Sequence, residues 1–166
     1  MKFTTVLSTF AIVAASLVSA QYTDLVDGAS GPVQYAGTNY TVTPSPMCIG
    51  KDVCLTASGT LSTDIIEGST YSFIGRYLGR LFYVDSNKDL CALLAASGTP
   101  CPVPAGAFNL KVCLLLRPNL PPNWPVEYQF EAINGDGGRL FAQKTTGFTA
   151  YPPKPSEKPL KAVICP

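Results

Sequence analysis

Glycine and proline are spread through this chain at a density that excludes long regular elements. The 166 residues include 14 glycines and 15 prolines, all of them after residue 20. Glycine tolerates positive φ angles and proline lacks a backbone N–H, so both residues interrupt helices and strands and favour turns. The composition therefore predicts many short elements that are joined by turns.

The first twenty residues have the pattern of a secretory signal. Lys2 provides a positive start, residues 6–18 are apolar or small, and residues 18–20 (Val-Ser-Ala) fit a cleavage site. The apolar run is too short for a membrane anchor, which needs roughly 20 residues. We therefore predict a signal at 1–20, one domain at 21–149 and a proline-rich tail at 150–166. The expected location is the secretory pathway, with the extracellular space or a vacuolar lumen as destination.

The charge and residue content argue against several function classes. There is no histidine, and 12 basic side chains nearly balance 11 acidic ones. Histidine-dependent nucleophilic catalysis and histidine-ligated metals are therefore excluded, and no basic field for nucleic acid is expected. Asp64 and Glu67 lie in a turn-like stretch and are interpreted as loop charges. We expect a protein that is not an enzyme and that has no metal, no other cofactor and no nucleic-acid partner.

Apolar and polar residues alternate in several segments, as they do in half-buried strands. Residues 126–132 alternate without a fault, with Val, Tyr, Phe and Ala on one face, and turn-forming residues follow at 134–138. Residues 55–61 and 110–117 show the same period. Residues 88–96 have the pattern of one or two helical turns. These signals predict an all-β, antiparallel β-sandwich of six to eight short strands.

One longer stretch, residues 71–85, is predicted as a single strand. Gly75 and Gly79 inside it indicate bends or bulges. A continuous strand would place Arg76 and Arg80 on one face, where two guanidinium groups could bind an anionic lipid headgroup through bidentate hydrogen bonds. The alternative is that both arginines lie on a solvated outer face.

Six cysteines in an exported chain predict disulfides. Two pairs of cysteines are close in sequence and enclose short loops with small residues, which favours local closure. A zinc site is not expected, because the chain lacks histidine and a Cys-x-x-Cys motif. The predicted disulfides are Cys48–Cys54, Cys91–Cys101 and, by elimination, Cys113–Cys165.

Asn39 begins an Asn-Tyr-Thr sequon. In an exported protein this motif is an acceptor for an N-linked glycan on a surface loop. The alternative is a chance tripeptide. We predict that Asn39 carries a glycan.

Several motifs together resemble the ML lipid-recognition family, over about residues 32–148. They are Pro-Val-Gln-Tyr at 32–35, the stretch from Cys48 and Cys54 to Leu61, Asp-Leu-Cys…Cys-Pro at 89–102, and Trp-Pro-Val-Glu-Tyr at 124–128. Family members include Niemann-Pick C-type sterol carriers and fungal phosphatidylglycerol/phosphatidylinositol transfer proteins. The local pairs Cys48–Cys54 and Cys91–Cys101 match the family pattern. Ala142, however, stands where the family has a late cysteine.

The resemblance implies an immunoglobulin-like sandwich with an apolar cavity between splayed sheets. It also implies lipid binding and transfer between membranes without chemistry, with a phospholipid or sterol as ligand. Contact with membranes would be transient, and the protein would be a monomer. The alternative function is an extracellular adhesion or interaction module with a packed core and no lipid cavity.

The resemblance and the strand faces together suggest which residues would line such a cavity. An aromatic–proline pair would lie at the mouth and an aromatic side chain would form one wall. The alternative for each residue is ordinary core packing. The candidate cavity residues are Phe73, Tyr77, Phe82, Tyr83, Val112, Leu114, Leu116, Trp124, Pro125, Val126, Tyr128 and Phe130.

Overall fold

A computed structural model describes residues 23–45, 47–117 and 125–150 of the chain. Within these ranges the chain forms nine strands and one short helix. None of the helical structure described is long and apolar enough to cross a membrane. The elements are β1 (Thr23–Asp27), β2 (Tyr35–Thr43), β3 (Met47–Cys48), β4 (Asp52–Leu61), β5 (Thr70–Tyr77), β6 (Arg80–Asp89), α1 (Leu90–Ala96), β7 (Gly106–Leu115), β8 (Pro125–Ile133) and β9 (Arg139–Ala150).

The strands form two sheets that pack face to face. The larger sheet has the order β1-β9-β8-β5-β6, and β3 adds to it by pairing in parallel with β9. The smaller sheet has the order β2-β4-β7, and its strands pair antiparallel. The predicted all-β sandwich is therefore confirmed, although the described residues form nine strands instead of six to eight and β3 pairs in parallel.

The alternating segments place their apolar residues between the two sheets. In β8, Val126, Tyr128 and Phe130 are buried, whereas the glutamates and the glutamine between them are only half-buried. In β7, Leu110 and Val112 are buried on the inner side. Because successive side chains of a strand point to opposite faces, one continuous apolar layer results.

The prediction of one long strand over residues 71–85 is wrong. The stretch is a hairpin in which β5 and β6 are joined by Leu78 and Gly79, whose φ angles are 47° and 75°. Two central residues with positive φ form the tight turn that matches the twist of antiparallel strands. Gly75 does mark an irregularity, as expected, because the β5–β6 register shifts directly after it.

Two disulfides in the described residues test the predicted pairings. Cys91–Cys101 is confirmed, but the prediction of Cys48–Cys54 and Cys113–Cys165 is wrong, because Cys54 bonds to Cys113. These two cysteines lie opposite each other on β4 and β7, with Cα atoms 4.0 Å apart. Directly opposed residues on neighbouring antiparallel strands have adjacent Cβ atoms, and this brings the sulfurs together.

Cys48 belongs to a different part of the fold. It lies in β3, which pairs with β9 of the larger sheet, and it is itself disulfide-bonded. Cys165 lies outside the described residues, as do the predicted signal at 1–20 and residues 151–166 of the predicted tail.

The predicted helical turns at residues 88–96 are confirmed as α1. Asp89 caps the helix by accepting a hydrogen bond from the Ala92 N–H, 3.0 Å away. Leu90, Cys91 and Leu94 face the core. The Cys91–Cys101 disulfide then fastens this helix to the segment that leads into β7.

Candidate functional site

An internal cavity lies where two clusters of core side chains meet. The larger cluster contains Phe130 and Val112, and the smaller one contains Tyr128 and Leu116. The cavity itself has a volume of about 50 Å³, within about 550 Å³ of empty space that includes solvent at its open mouth. Ligand pockets for small molecules span about 300–1,000 Å³, so the sheets would have to separate to admit a lipid chain. The sandwich therefore retains an apolar gap between its sheets.

Both sheets contribute side chains to this cavity. All of the lining residues are apolar or aromatic except one glutamine and one threonine, both on β9. The lining residues are Val42, Met47, Val53, Leu55, Phe73, Val112, Leu114, Leu115, Leu116, Tyr128, Phe130, Gln143 and Thr145.

The structure brings together half of the residues that the sequence suggested for such a cavity. Those that line it are Phe73, Val112, Leu114, Leu116, Tyr128 and Phe130. Trp124 and the side chain of Pro125 lie outside the described part of the chain. The other four candidates do not line the cavity.

Three of those four residues stabilise the wall of the cavity instead. Val126 and Tyr83 are buried in the smaller cluster. Phe82 packs edge-on against Tyr128, with ring centroids 6.2 Å apart. A Cβ at Gly75 would collide with the Phe82 ring, so glycine is needed there for this approach. The fourth candidate, Tyr77, is the last residue before the hairpin turn and is half-buried.

The sequence did not indicate seven of the lining residues, and two of these seven are polar residues that could form hydrogen bonds with a ligand. Gln143 and Thr145 are buried polar residues on the inner face of β9, opposite Phe130 and Tyr128. The period of β9 continues from Phe141, so extending that alternation would have found both residues. Val42, Met47 and Val53 carried no signal beyond general apolarity, whereas Leu55 and Leu115 lie in segments whose alternation predicted strands.

Arg76 and Arg80 do not form the predicted pair on one strand face. Arg76 lies in β5, where it forms a 3.6 Å ion pair with Glu127 and a 3.3 Å hydrogen bond to Gln129, both on β8. Arg80 begins β6, opposite Tyr77, and is exposed. The hairpin turn separates the two guanidinium groups, because it assigns them to different strands and different register positions.

A polar contact joins the two sheets along one side of the sandwich, where β6 and β7 are the edge strands. The Tyr83 hydroxyl donates a 2.6 Å hydrogen bond to Asp85, and Arg117 donates one of 3.0 Å to the other carboxylate oxygen. The Arg117 guanidinium also lies 4.9 Å from the centre of the Tyr83 ring. Burial, followed by the neighbouring Asp85 carboxylate, raises the pKa of Tyr83 to about 12.

Exposed leucines gather at one end of the sandwich, near the cavity. Leu78 and Leu81, at the β5–β6 turn, are 77% and 59% exposed, and Leu115 is 58% exposed although it lines the cavity. Leu116 belongs to the same buried cluster as Val126, the register partner of Tyr77, which places the end of β7 toward the turn end of the sandwich. We call Leu78, Leu81 and Leu115 the leucine tip.

The part of the chain that the structure describes contains no cluster of three or more His, Cys, Asp or Glu side chains suited to a metal ion. Its distinctive features are the apolar cavity, the two buried polar residues of β9 that line this cavity, and the leucine tip. Such features can hold a hydrophobic molecule, because removing apolar surface from water is favourable without any reactive group.

Comparison with known proteins agrees with this geometry. Residues 32–144 match the family model for the ML domain. The chain belongs to the ML domain family. The match covers the interval from just before β2 to the middle of β9, and so includes both walls of the cavity.

Two curated relatives of this chain are phosphatidylglycerol/phosphatidylinositol transfer proteins. The one from Aspergillus oryzae is 30% identical over 103 residues, which are 62% of this chain and 58% of the relative. The one from Kluyveromyces lactis is 30% identical over 88 residues, which are 51% and 50% of the two chains. This chain thus matches between half and three fifths of the length of these relatives.

A solved structure with the same fold is a Niemann-Pick type C2 protein from the Japanese carpenter ant. Its TM-score is 0.58 at 16% sequence identity, and the match covers 76% of this chain and 99% of that chain. This likeness identifies the immunoglobulin-like sandwich architecture.

Proposed function

We propose that this protein binds one lipid between its sheets and transfers it between membranes without a chemical step. The apolar cavity between the two core clusters carries this proposal. Burying a lipid chain there is worth about 0.8 kcal/mol per methylene before ordering costs, so capture needs no catalytic group. The two transfer-protein relatives and membership of the ML domain family support the same function.

The leucine tip is the proposed contact with membranes. Leu78 and Leu81 expose their side chains on a tight turn, and Arg80 lies between them in sequence. An apolar tip with a neighbouring cation suits the interface of a bilayer that contains anionic lipids. Contact would be transient, because few apolar side chains enter the bilayer and the protein must leave again. The proposed transferring form is a monomer.

An oxidising compartment of the secretory pathway is the proposed location. The Cys54–Cys113 and Cys91–Cys101 disulfides are stable in such a compartment. Asn39 is exposed on the edge strand β2, in a stretch where the β2–β4 register shifts, and is thus accessible for the proposed N-glycan.

The cavity can be tested by purifying the mature protein and measuring its mass under native conditions, followed by extraction and identification of lipids. One co-purifying lipid per chain is expected. Transfer of phosphatidylglycerol, phosphatidylinositol and sterol between vesicles should then be measured separately. A protein that is always empty and transfers none of them would contradict the proposal and favour an adhesion or interaction module.

Leu114→Trp provides a matched test of the cavity itself, because Leu114 is a half-buried lining residue. A larger side chain fills the gap and should lower lipid occupancy severalfold. Lys111→Trp is the control, since Lys111 is exposed on the opposite face of the same strand. Equal occupancy in both variants would place the lipid elsewhere.

A further inference from the structure

Gln143 is a polar side chain within an apolar interior. It is 7% exposed and lines the cavity between the sheets. Its amide makes no hydrogen bond with any residue in the described ranges. Its amide atoms are not fully enclosed by protein, and an amide that faces a mostly apolar space without a protein partner loses part of its hydrogen bonding. Such a group is expected where a bound molecule supplies the missing partner.

A second cavity begins at Gln143 and opens at the side of the sandwich between β2 and the β1–β9 pair. It has about 350 Å³ of empty space, including its opening. We call it the lateral cleft. Its lining residues are Asp27, Val33, Tyr35, Ala36, Gly37, Tyr40, Phe141, Ala142 and Gln143. Gln143 also lines the apolar cavity, and therefore stands at the junction of the two spaces.

Both walls become more polar along the path from the apolar cavity to the lateral cleft. On the larger sheet, Phe130, Gln143 and Asp27 lie opposite one another on three neighbouring strands. On β2, Val42 lines the apolar cavity and Tyr40, two residues earlier, lines the lateral cleft. Along this path a bound molecule would meet apolar side chains first, then the Gln143 amide and the Tyr40 hydroxyl, and finally the Asp27 carboxylate. An amphiphilic molecule has the same order of groups along its length.

The polar groups of the lateral cleft are suited to hydroxyls. The Tyr40 hydroxyl has no hydrogen-bond partner among the residues described, and burial, followed by the nearby Tyr35 and Asp27, raises its pKa to about 12. It therefore remains a neutral donor at physiological pH. One oxygen of Asp27 accepts the Ala29 N–H at 2.8 Å. No lysine or arginine of the described chain lines the cleft, so a phosphate there would face Asp27 without a cation.

We propose that the lateral cleft is a recognition site for the hydroxyl-bearing end of an uncharged lipid, with Gln143 as the residue that determines specificity. This inference rests on the proposed function, since the apolar part of the lipid lies in the cavity between the sheets. A lipid hydroxyl donates to Asp27 and accepts from the Gln143 amide or the Tyr40 hydroxyl. A carboxylate or phosphate in the same position is repelled by Asp27.

The test compares three probes that have the same acyl chain: monooleoylglycerol, methyl oleate and oleate. Their affinities are measured by displacement of a fluorescent fatty probe from the full mature protein. The parent should bind monooleoylglycerol about tenfold more tightly than methyl oleate, which lacks hydroxyls. Gln143→Leu should lower monooleoylglycerol affinity about three- to tenfold and leave methyl oleate affinity unchanged or higher.

Stability provides a readout that a purely structural glutamine would not produce. Replacing an amide that has no protein partner by leucine should leave Tm unchanged or raise it by up to about 5 °C. Tyr40→Phe is the second variant and should lower monooleoylglycerol affinity by a similar factor. Its matched control is Tyr71→Phe, because Tyr71 lines neither cavity. Asp27→Asn should strengthen binding of oleate, since it removes the opposing charge.

The outcomes separate this inference from the proposed function. If no probe binds to the parent, the proposed function itself is wrong. If methyl oleate binds as tightly as monooleoylglycerol, or if Gln143→Leu and Tyr40→Phe leave the preference unchanged, the cavity holds lipid but the lateral cleft does not recognise hydroxyls. A lowered Tm for Gln143→Leu with unchanged preference would likewise overturn the inference and assign Gln143 to the fold.

Discussion

Arg117, just beyond β7, reaches across to Asp85 of β6 with an Nη2···Oδ1 distance of 3.0 Å. β6 and β7 are edge strands of different sheets, so this ion pair joins the two halves of the sandwich along one side. Tyr83 adds a hydrogen bond to the same carboxylate. The contact therefore opposes separation of the sheets, which the proposed entry and exit of a lipid would require.

Arg117→Gln should accelerate lipid release from the cavity about two- to fivefold while lowering the free energy of unfolding by less than about 1 kcal/mol. The cost is small because Arg117 is largely exposed, and exposed ion pairs contribute little to stability. Stopped-flow release of a fluorescent lipid measures the rate. Arg76→Gln is the control, because its ion pair with Glu127 lies within one sheet. Equal acceleration in both variants would exclude a specific role for the edge contact.

Leu78→Ser combined with Leu81→Ser should reduce vesicle binding by about tenfold or more. In the parent, two leucine side chains move from water into the membrane, and serine side chains gain no such favourable transfer free energy. Lipid binding in solution should stay the same, as neither residue lines the cavity. Co-sedimentation with vesicles and probe displacement measure the two effects. Ile66→Ser is a matched control at the opposite end of the sandwich, beside Asn134. If the double variant binds vesicles as well as the parent, the leucine tip is not the docking surface.

Asn134→Ala should lower the free energy of unfolding by about 2 to 3 kcal/mol. The buried Asn134 amide accepts from the Ile66 and Gly135 N–H groups and the Ser69 hydroxyl, and donates to Gln34 and the Asp64 carbonyl. Removing it leaves several buried groups without partners. Denaturant unfolding measures the loss. Asn109→Ala, at an exposed position of β7, should change stability by less than about 0.5 kcal/mol.

Stability should fall as the pH rises from about 10 to 12. The pKa values of Tyr40 and Tyr83 are both raised from 10.0 to about 12 in the folded protein. Their contribution is complete below pH 10, where both states are protonated, and is lost as the unfolded tyrosines ionise while the folded ones do not. Chemical denaturation across this range measures the effect. The Tyr40→Phe/Tyr83→Phe variant should lack part of the alkaline decrease and keep the part that comes from Tyr35 and Tyr71, whose pKa values burial also raises.

Thr41→Ala should abolish the mass shift that a glycosidase produces on protein secreted from a eukaryotic host. Thr41→Ser keeps both the sequon and a hydroxyl for the 2.6 Å contact with Thr56, so it should retain the shift. Intact mass before and after the enzyme gives the answer. A parent protein without any shift would show that Asn39 carries no glycan.

Local patterns along the chain were sufficient for several of the strands and for the general class of fold. The alternation at residues 126–132 and the turn residues that follow specify β8 and its hairpin with β9, because side-chain period and turn chemistry act over a few residues. The helix at Leu90–Ala96 and the disulfide between Cys91 and Cys101 are local for the same reason. The motifs at 32–35 and 89–102 also indicated the family, because each is contained within a short stretch of the chain.

The disulfide pairing and the cavity depend on contacts between residues that are far apart in the sequence. Cys54 and Cys113 are 59 residues apart, and only the pairing of β4 with β7 makes them neighbours. Whether two apolar faces close into a solid core or leave a cavity depends on the spacing of the sheets, which no single strand encodes. The position of Gln143, between hydrocarbon on one side and Asp27 on the other, likewise exists only once β1, β8 and β9 lie side by side.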